Sequence, residues 1–321
     1  MYRKLLYRSV DYSRVCIIGD LHGDLQVYLR FLLETDACNP DSIVPLLDYL
    51  RSGGTDFHTI EEFLARINWS TAIGLNILLV FVGDVVDNIR EGTASEFNQN
   101  LDDLHLIRHM VKLYRHRPLG TDLVFLLGNH ELSNLFDHLP CSSYTPGHYC
   151  QQVEGRSCYS LGRKTELLEY LRQLTVRTAV VVDDCLVCHG GLSSAFSARL
   201  TDLVAINTVY EDCIEHFIDP RTRVPCFGSL DPVWYRPLLN GTQVQQDRDS
   251  LTRLTLAGLQ VGLRYSIVGH TTVRPHDYSR YPIFGYIYPC DFGMSMTTYS
   301  PNPVFGFLCI VAGGKPQYFF S

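Results

Sequence analysis

No uninterrupted apolar stretch of about 18 residues occurs in this 321-residue sequence, so it offers no helical membrane span. No Lys/Arg-rich tract occurs either. The 27 basic residues are outnumbered by 34 acidic ones, for a formal net charge of −7, and a nucleic-acid-binding surface is not expected. The opening MYRKLLYRSVDYSR carries basic residues but no apolar run of signal-peptide length. Internal repeats and low-complexity segments are absent, which argues against a repeat architecture. The 11 cysteines are an odd number, and Cys16, Cys185, Cys188 and Cys309 lie inside apolar strand patterns. Reduced, buried thiols in a cytosolic or nuclear protein fit this better than a disulfide framework. No composition break divides the chain. The expectation is one domain over residues 1–321 with insertions at about 36–75 and 136–160.

What the sequence does contain is organised around Val80–Asp87, VFVGDVVD. A β-branched and aromatic run stops at a glycine followed at once by an acid, as expected where a buried parallel strand ends at the ligand-binding edge of an α/β sheet. Four other runs end the same way. Val15–Gly19 leads into Asp20-Leu-His22-Gly23-Asp24, and Leu123–Leu127 leads into Gly128-Asn129-His130-Glu131. Cys185–Cys188 delivers His189-Gly190-Gly191, and Tyr265–Val268 delivers Gly269-His270-Thr271.

Apolar spacing predicts helices over Leu25–Leu33, Asp41–Leu50, Thr59–Ile67, Ser95–Tyr114, Thr165–Leu174, most of Ser193–Ile218, and Asp249–Gly262. Thr59-Ile-Glu-Glu62 fits a capping box opening the third of these. Residues 178–189 read as a strand pair or one strand bent at Asp183-Asp184. The aromatic end from Ile283 to Phe320 reads as antiparallel strands. His105, His109 and His116 on the crossover helix read as surface or boundary residues. Residues 132–160 read as a lid.

Asp20 and His22, two apart after a strand, can aim at one cation, and the two oxygens of Asp84 can serve two. Asn129, His189 and His270 add neutral donors, a thiolate-free set that suits manganese, iron or zinc. Two cations held about 3.5–4 Å apart can share a hydroxide and clamp a phosphoryl oxygen, which predicts hydrolysis of a phosphate ester. His130, one residue past Asn129, is placed to protonate the leaving group, with Asp87 fixing its tautomer.

The ordered set GDLHGD, GDVVD, GNHE, HGG and GHT resembles the calcineurin-like metallophosphoesterases, and within them the phosphoprotein phosphatase family. The resemblance runs from Val15 to Thr271 and on to Asp291–Ser295. Gly128-Asn-His-Glu-Leu-Ser-Asn134, Val233-Trp-Tyr-Arg236 and Val268-Gly-His-Thr271 look like its Shewanella-like, bacterial-type branch. The likeness implies an α/β fold with a central β-sandwich flanked by helices and a dinuclear metal site at strand carboxyl ends. It implies one metal on Asp20, His22 and Asp84, another on Asp84, Asn129, His189 and His270, and His130 as proton donor paired with Asp87. Where the family follows its second motif with Arg-Gly, this chain has Asn88-Ile89-Arg90. Arg90 or Arg236 is expected to grip the phosphate in place of that arginine, with Asn88 as an uncharged donor.

Cys185-Leu-Val-Cys188 spells a C-x-x-C, but in a strand its ends point to opposite faces, which excludes a redox pair or metal clip. Cys141, Cys150, Cys158, His138 and His148 match no common zinc spacing. The expected substrate is a phosphorylated protein. A dinucleoside polyphosphate, or a scaffold role without turnover, are the competing readings, and the scaffold predicts eroded ligands that this chain does not show. Two divalent metals, manganese first, are the expected cofactors.

Overall fold

The computed structural model describes residues 4–70, 76–87, 104–135, 161–215, 230–237, 243–273, 282–294 and 305–320. Residues 136–160 of the expected lid, with its cysteines at 141, 150 and 158, and Asn88 and Arg90 lie outside these residues, while residues 132–135, also read as lid, belong instead to the buried helix Asn129–Leu135. Strand β1 (Leu6–Tyr7) precedes β2 (Arg14–Ile18), which feeds helix α1 (Leu25–Glu34). Helices α2 (Pro40–Arg51) and α3 (Phe57–Arg66) follow, then β3 (Ile77–Phe81), α4 (Leu104–Arg115), β4 (Asp122–Leu126) and α5 (Asn129–Leu135). Helix α6 (Leu161–Gln173) leads to β5 (Val176–Arg177), β6 (Ala179–Val182) and β7 (Cys185–Cys188), and then to α7 (Ser194–Ser197), α8 (Leu203–Glu215) and α9 (Val244–Thr252). The chain continues through β8 (Thr255–Leu256), β9 (Leu259–Gln260), β10 (Tyr265–Val268), β11 (Ile287–Pro289), β12 (Gly306–Ile310) and β13 (Gln317–Phe320).

These strands form two facing sheets, not the single open sheet that the strand ends alone suggest. One has the order β13-β12-β2-β3-β4-β5 and the other β1-β6-β7-β10-β11, with β8 and β9 a separate hairpin. Their shared core explains why β3 is apolar at every position. Leu78 and Val80 meet Val180, Val187 and Ile267 of the other sheet, while Leu79 and Phe81 face the helices on the outer side. A strand covered on both faces needs no polar alternation. The outer face of the second sheet carries α7 to α9 through Phe196, Leu203, Ile206 and Leu251. Cys185 belongs to the inter-sheet core and Cys188 to that outer one, the opposite-face placement expected of the C-x-x-C.

Helix starts follow from side-chain caps. The Asp24 carboxylate accepts from Val27 N at 3.0 Å and opens α1, so Leu25, Tyr28, Leu29 and Leu32 fall on the buried side. The capping box at Thr59 does not form. Asp56 caps α3 instead, accepting from Thr59 N at 2.8 Å, and the helix starts at Phe57. Two further expectations are corrected. The helix read over Asp249–Gly262 ends at Thr252, and its second half is the β8–β9 hairpin, turned by Ala257 and Gly258 at φ 51° and 82°. His105 and His109 are buried, not boundary residues, because α4 is covered by neighbouring elements. His105 Nδ1 meets Glu61 of α3 at 2.8 Å, and His109 Nδ1 meets the Tyr28 hydroxyl of α1 at 2.8 Å. Among the described residues no helix is long and apolar enough to cross a membrane.

Candidate metal centre

The turns after β2, β3 and β4 of one sheet and after β7 and β10 of the other meet at one rim. Backbone bonds lock them together: Leu21 and His22 N donate to Asp84 O at 3.0 and 2.8 Å, and Gly269 N donates to His189 O at 2.9 Å. The close approach needs glycine. A Cβ on Gly128 would run into the Asp84 carboxylate, and one on Gly269 into that of Asp20. His22, Asp84, Asp87 and His270 all take left-handed backbone, φ 44°, 50°, 70° and 60°, which costs each a strain that the locked turns must hold.

The result brings together Asp20, His22, Asp84, Asn129, His130, His189 and His270, all buried. Donor atoms of His22, Asp84 and His130 lie within 4.8 Å of one another, as do those of Asp84, His189 and His270. Asp84 belongs to both groups. Asp20 borders both: its carboxylate lies 3.9 Å from His22 Nε2 and 3.8 Å from His189 Nδ1, and accepts from His270 N at 3.2 Å.

Each histidine is oriented by an oxygen behind it. Nδ1 of His189 faces Val82 O at 2.9 Å, Nδ1 of His22 faces Val86 O at 3.4 Å, and Nε2 of His270 faces Trp234 O at 3.2 Å. The opposite ring nitrogens therefore turn lone pairs toward the centre. His189 Nε2 is 3.0 Å from Asn129 Oδ1, 3.2 Å from His270 Nδ1 and 3.2 Å from Asp84 Oδ2. Acceptor atoms converging at such distances need positive charge among them, a proton on His189 or a cation. This set of oxygen and imidazole donors fits divalent cations.

The charge states point the same way. Burial alone disfavours a cationic His189, yet the carboxylates of Asp84 and Asp20 outweigh it and push its pKa up to about 9. The surrounding imidazoles of His189, His130 and His22 overcome burial to hold Asp84 well below the usual carboxylate range. Burial and the nearby Asp291 carboxylate push Asp20 up, and burial, His189 and Arg236 push His270 down.

His130 differs from the other three. Its Nδ1 faces not a carbonyl but the Asp87 carboxylate at 2.6 Å, and its Nε2 stands 3.7 Å from Asp84. Asn134, one helical turn on in α5, donates to both oxygens of Asp87 at 2.9 and 3.0 Å and to His130 O at 2.9 Å. Arg236 reaches the rim, where Nη1 donates to His270 O at 2.7 Å. Its loop is pinned by Asp231, which accepts from Val233 N at 3.0 Å, and by the Tyr235 hydroxyl bonded to Asp247.

Three supporting residues escape the sequence reading. Glu131 is fully buried and its carboxylate accepts from Val85 and Gly128 N at 2.8 Å each, Asp84 N at 3.0 Å and Val86 N at 3.3 Å. It thereby sets the Asp84 turn. Asn134 and Asp291 are the others. Asp291 accepts from Thr272 Oγ1 at 2.8 Å and from Gly293 N at 2.9 Å. Glu131 and Asn134 carry a signal, since both lie in the stretch that holds Asn129 and His130.

Compared with known proteins, the chain matches the calcineurin-like phosphoesterase family over residues 13–274. No curated protein sequence matches it. Among solved structures, a point mutant of a cold-active protein tyrosine phosphatase aligns with a TM-score of 0.61 at 19% identity, covering 99% of this chain and 83% of that one. The cold-active protein-tyrosine phosphatase of a psychrophilic Shewanella species aligns at 0.60 and 18%, covering 99% and 83%. At these identities the likeness establishes the fold.

Proposed function

The chain belongs to the calcineurin-like phosphoesterases and is a phosphoric ester hydrolase, and on that premise we propose that it is a protein phosphatase using two divalent cations, manganese first. The observation that carries this reading is that Asp84 belongs to both donor groups, with His22 and His130 in one and His189 and His270 in the other, and that the bond to Asp87 sets His130 apart from the other histidines. Asp20, His22 and Asp84 would hold one cation, and Asp84, Asn129, His189 and His270 the other. When bound, such cations supply a nucleophilic hydroxide at neutral pH and positive charge against the phosphoryl oxygens.

The chain's own groups do the rest. Asp87, fixed by Asn134, holds the proton of His130 on Nδ1 and so orients Nε2 toward the leaving-group oxygen, where it delivers a proton as the ester bond breaks. Arg236 binds the equatorial phosphoryl oxygens. Its bond to His270 O fixes the guanidinium at the rim, and a planar fork offers further donors at once.

Arg236→Ala is expected to lower kcat/KM about 10- to 150-fold, the loss of a charge-assisted contact worth roughly 1.5–3 kcal/mol, with metal content unchanged. Arg90→Ala should cost less. A damaging Arg90→Ala beside a silent Arg236→Ala would move the phosphate grip into the segment that replaces the family's Arg-Gly.

The fold likeness to protein tyrosine phosphatases makes phosphotyrosyl peptides the first substrates to test. Manganese-loaded protein assayed in parallel on phosphotyrosyl, phosphoseryl and phosphothreonyl peptides and on dinucleoside polyphosphates should favour the peptides. A preference for the dinucleotides makes it a nucleotide hydrolase on the same site, and no turnover of either class overturns the reading.

A further inference from the structure

Cys16 of β2 and Cys309 of β12 are register partners in an antiparallel ladder. Directly opposed residues send their side chains to the same face. Both thiols join the outer core beneath α1, while their neighbours Ile17 and Leu308 turn into the inter-sheet core. Both are free. Opposed Cα atoms in such a ladder stand about 4.5–5.5 Å apart. A disulfide spans about 4.4–6.8 Å, so it needs only side-chain rotation here. Other thiols are placed differently: Cys185 and Cys188 occupy opposite faces, and Cys290 donates to Val268 O at 3.2 Å.

We propose that Cys16 and Cys309 are a redox modification site, closing reversibly to a cross-strand disulfide that ties the β12–β13 hairpin to β2, the strand that leads into Asp20. The oxidant is a peroxide. The Cys309 thiolate attacks a peroxide oxygen, the O–O bond breaks, and hydroxide leaves and takes up the proton lost from Cys309, giving a sulfenic acid and water. The Cys16 sulfur then attacks the Cys309 sulfur. The S–O bond breaks, the S–S bond forms, and the departing hydroxyl leaves as water with the Cys16 proton. Two thiols and one hydrogen peroxide thus give one disulfide and two waters.

The order of attack follows from the surroundings. The neighbouring Cys16 thiol, against the pull of burial and with help from the Arg14 guanidinium, holds Cys309 below the usual thiol range. Burial pushes Cys16 up. Cys309 is also the less enclosed of the two, 4% exposed against 0% for Cys16, and is the attacking thiolate, with Cys16 the resolving thiol.

The test uses the full chain, oxidised in its folded state with hydrogen peroxide, then denatured, alkylated and digested for mass spectrometry. The expected product is one cross-linked peptide pair containing Cys16 and Cys309, lighter than the two reduced peptides by two hydrogens and separated by dithiothreitol. It should persist in Cys185→Ser and vanish in Cys309→Ala. If Cys16 and Cys309 of the oxidised wild-type protein both remain open to alkylation, or either is joined to another cysteine, the proposal is overturned. That wild-type result stands whether or not a core variant folds.

Discussion

Replacing His130 with asparagine is expected to slow hydrolysis of an alkyl phosphate by on the order of 10²–10⁴-fold while costing far less on p-nitrophenyl phosphate. An alkoxide is a poor leaving group and needs a proton as the P–O bond breaks, whereas nitrophenolate leaves unassisted. The expectation rests on the geometry that separates His130 from the other three histidines: its rear nitrogen meets a carboxylate at 2.6 Å instead of a backbone carbonyl. Metal content should not change, because the variant leaves Asp84, Asn129 and His22 in place. Equal rate losses on the two substrates would remove the proton-donor role. A loss of metal would instead make His130 a ligand, as its grouping with His22 and Asp84 permits.

Much of this centre is legible in the sequence because the signal is local. A buried strand announces itself as an unbroken apolar run, and Gly-Asp, Gly-Asn-His or Cys-His-Gly at its end marks where polar groups begin. The five strand ends, and the side chains that the structure brings together there, are therefore readable residue by residue. Pairing is not local. Nothing in the apolar run of β7 says that it belongs to a different sheet from β3, so the residues alone suggest one open sheet, and the sandwich enters only through the family resemblance. The same limit hides the burial of His105 and His109. A histidine on an amphipathic helix reads as boundary until Glu61 and Tyr28 arrive from distant segments to bond it.

The misread helix over Asp249–Gly262 has a different cause. Leu251, Leu254, Leu256, Leu259 and Val261 suit helical spacing well enough, but Gly258 and Gly262 at φ 82° and 74° give the chain turns that a helix cannot hold. The supporting residues of the site are hidden for a third reason. Glu131 acts through four backbone N–H groups, and a backbone donor has no residue type to read.

Asp84→Asn is the second change with a large expected effect. Asp84 sits in both donor groups, is held anionic by three imidazoles, and accepts from His130 N at 2.9 Å. An amide keeps the shape of the side chain but removes the charge and one of its two acceptor oxygens. The rate should fall on the order of 10³-fold or more, the loss of several kcal/mol of electrostatic stabilisation. The decisive measurement is elemental analysis of the folded protein after manganese loading and removal of free metal, wild type against Asp84→Asn, with the rate on p-nitrophenyl phosphate read from the same samples. Two metal equivalents in the wild type, and the loss of at least one together with the activity in Asp84→Asn, is the result that a shared carboxylate predicts. Full metal occupancy and full activity in Asp84→Asn would contradict it.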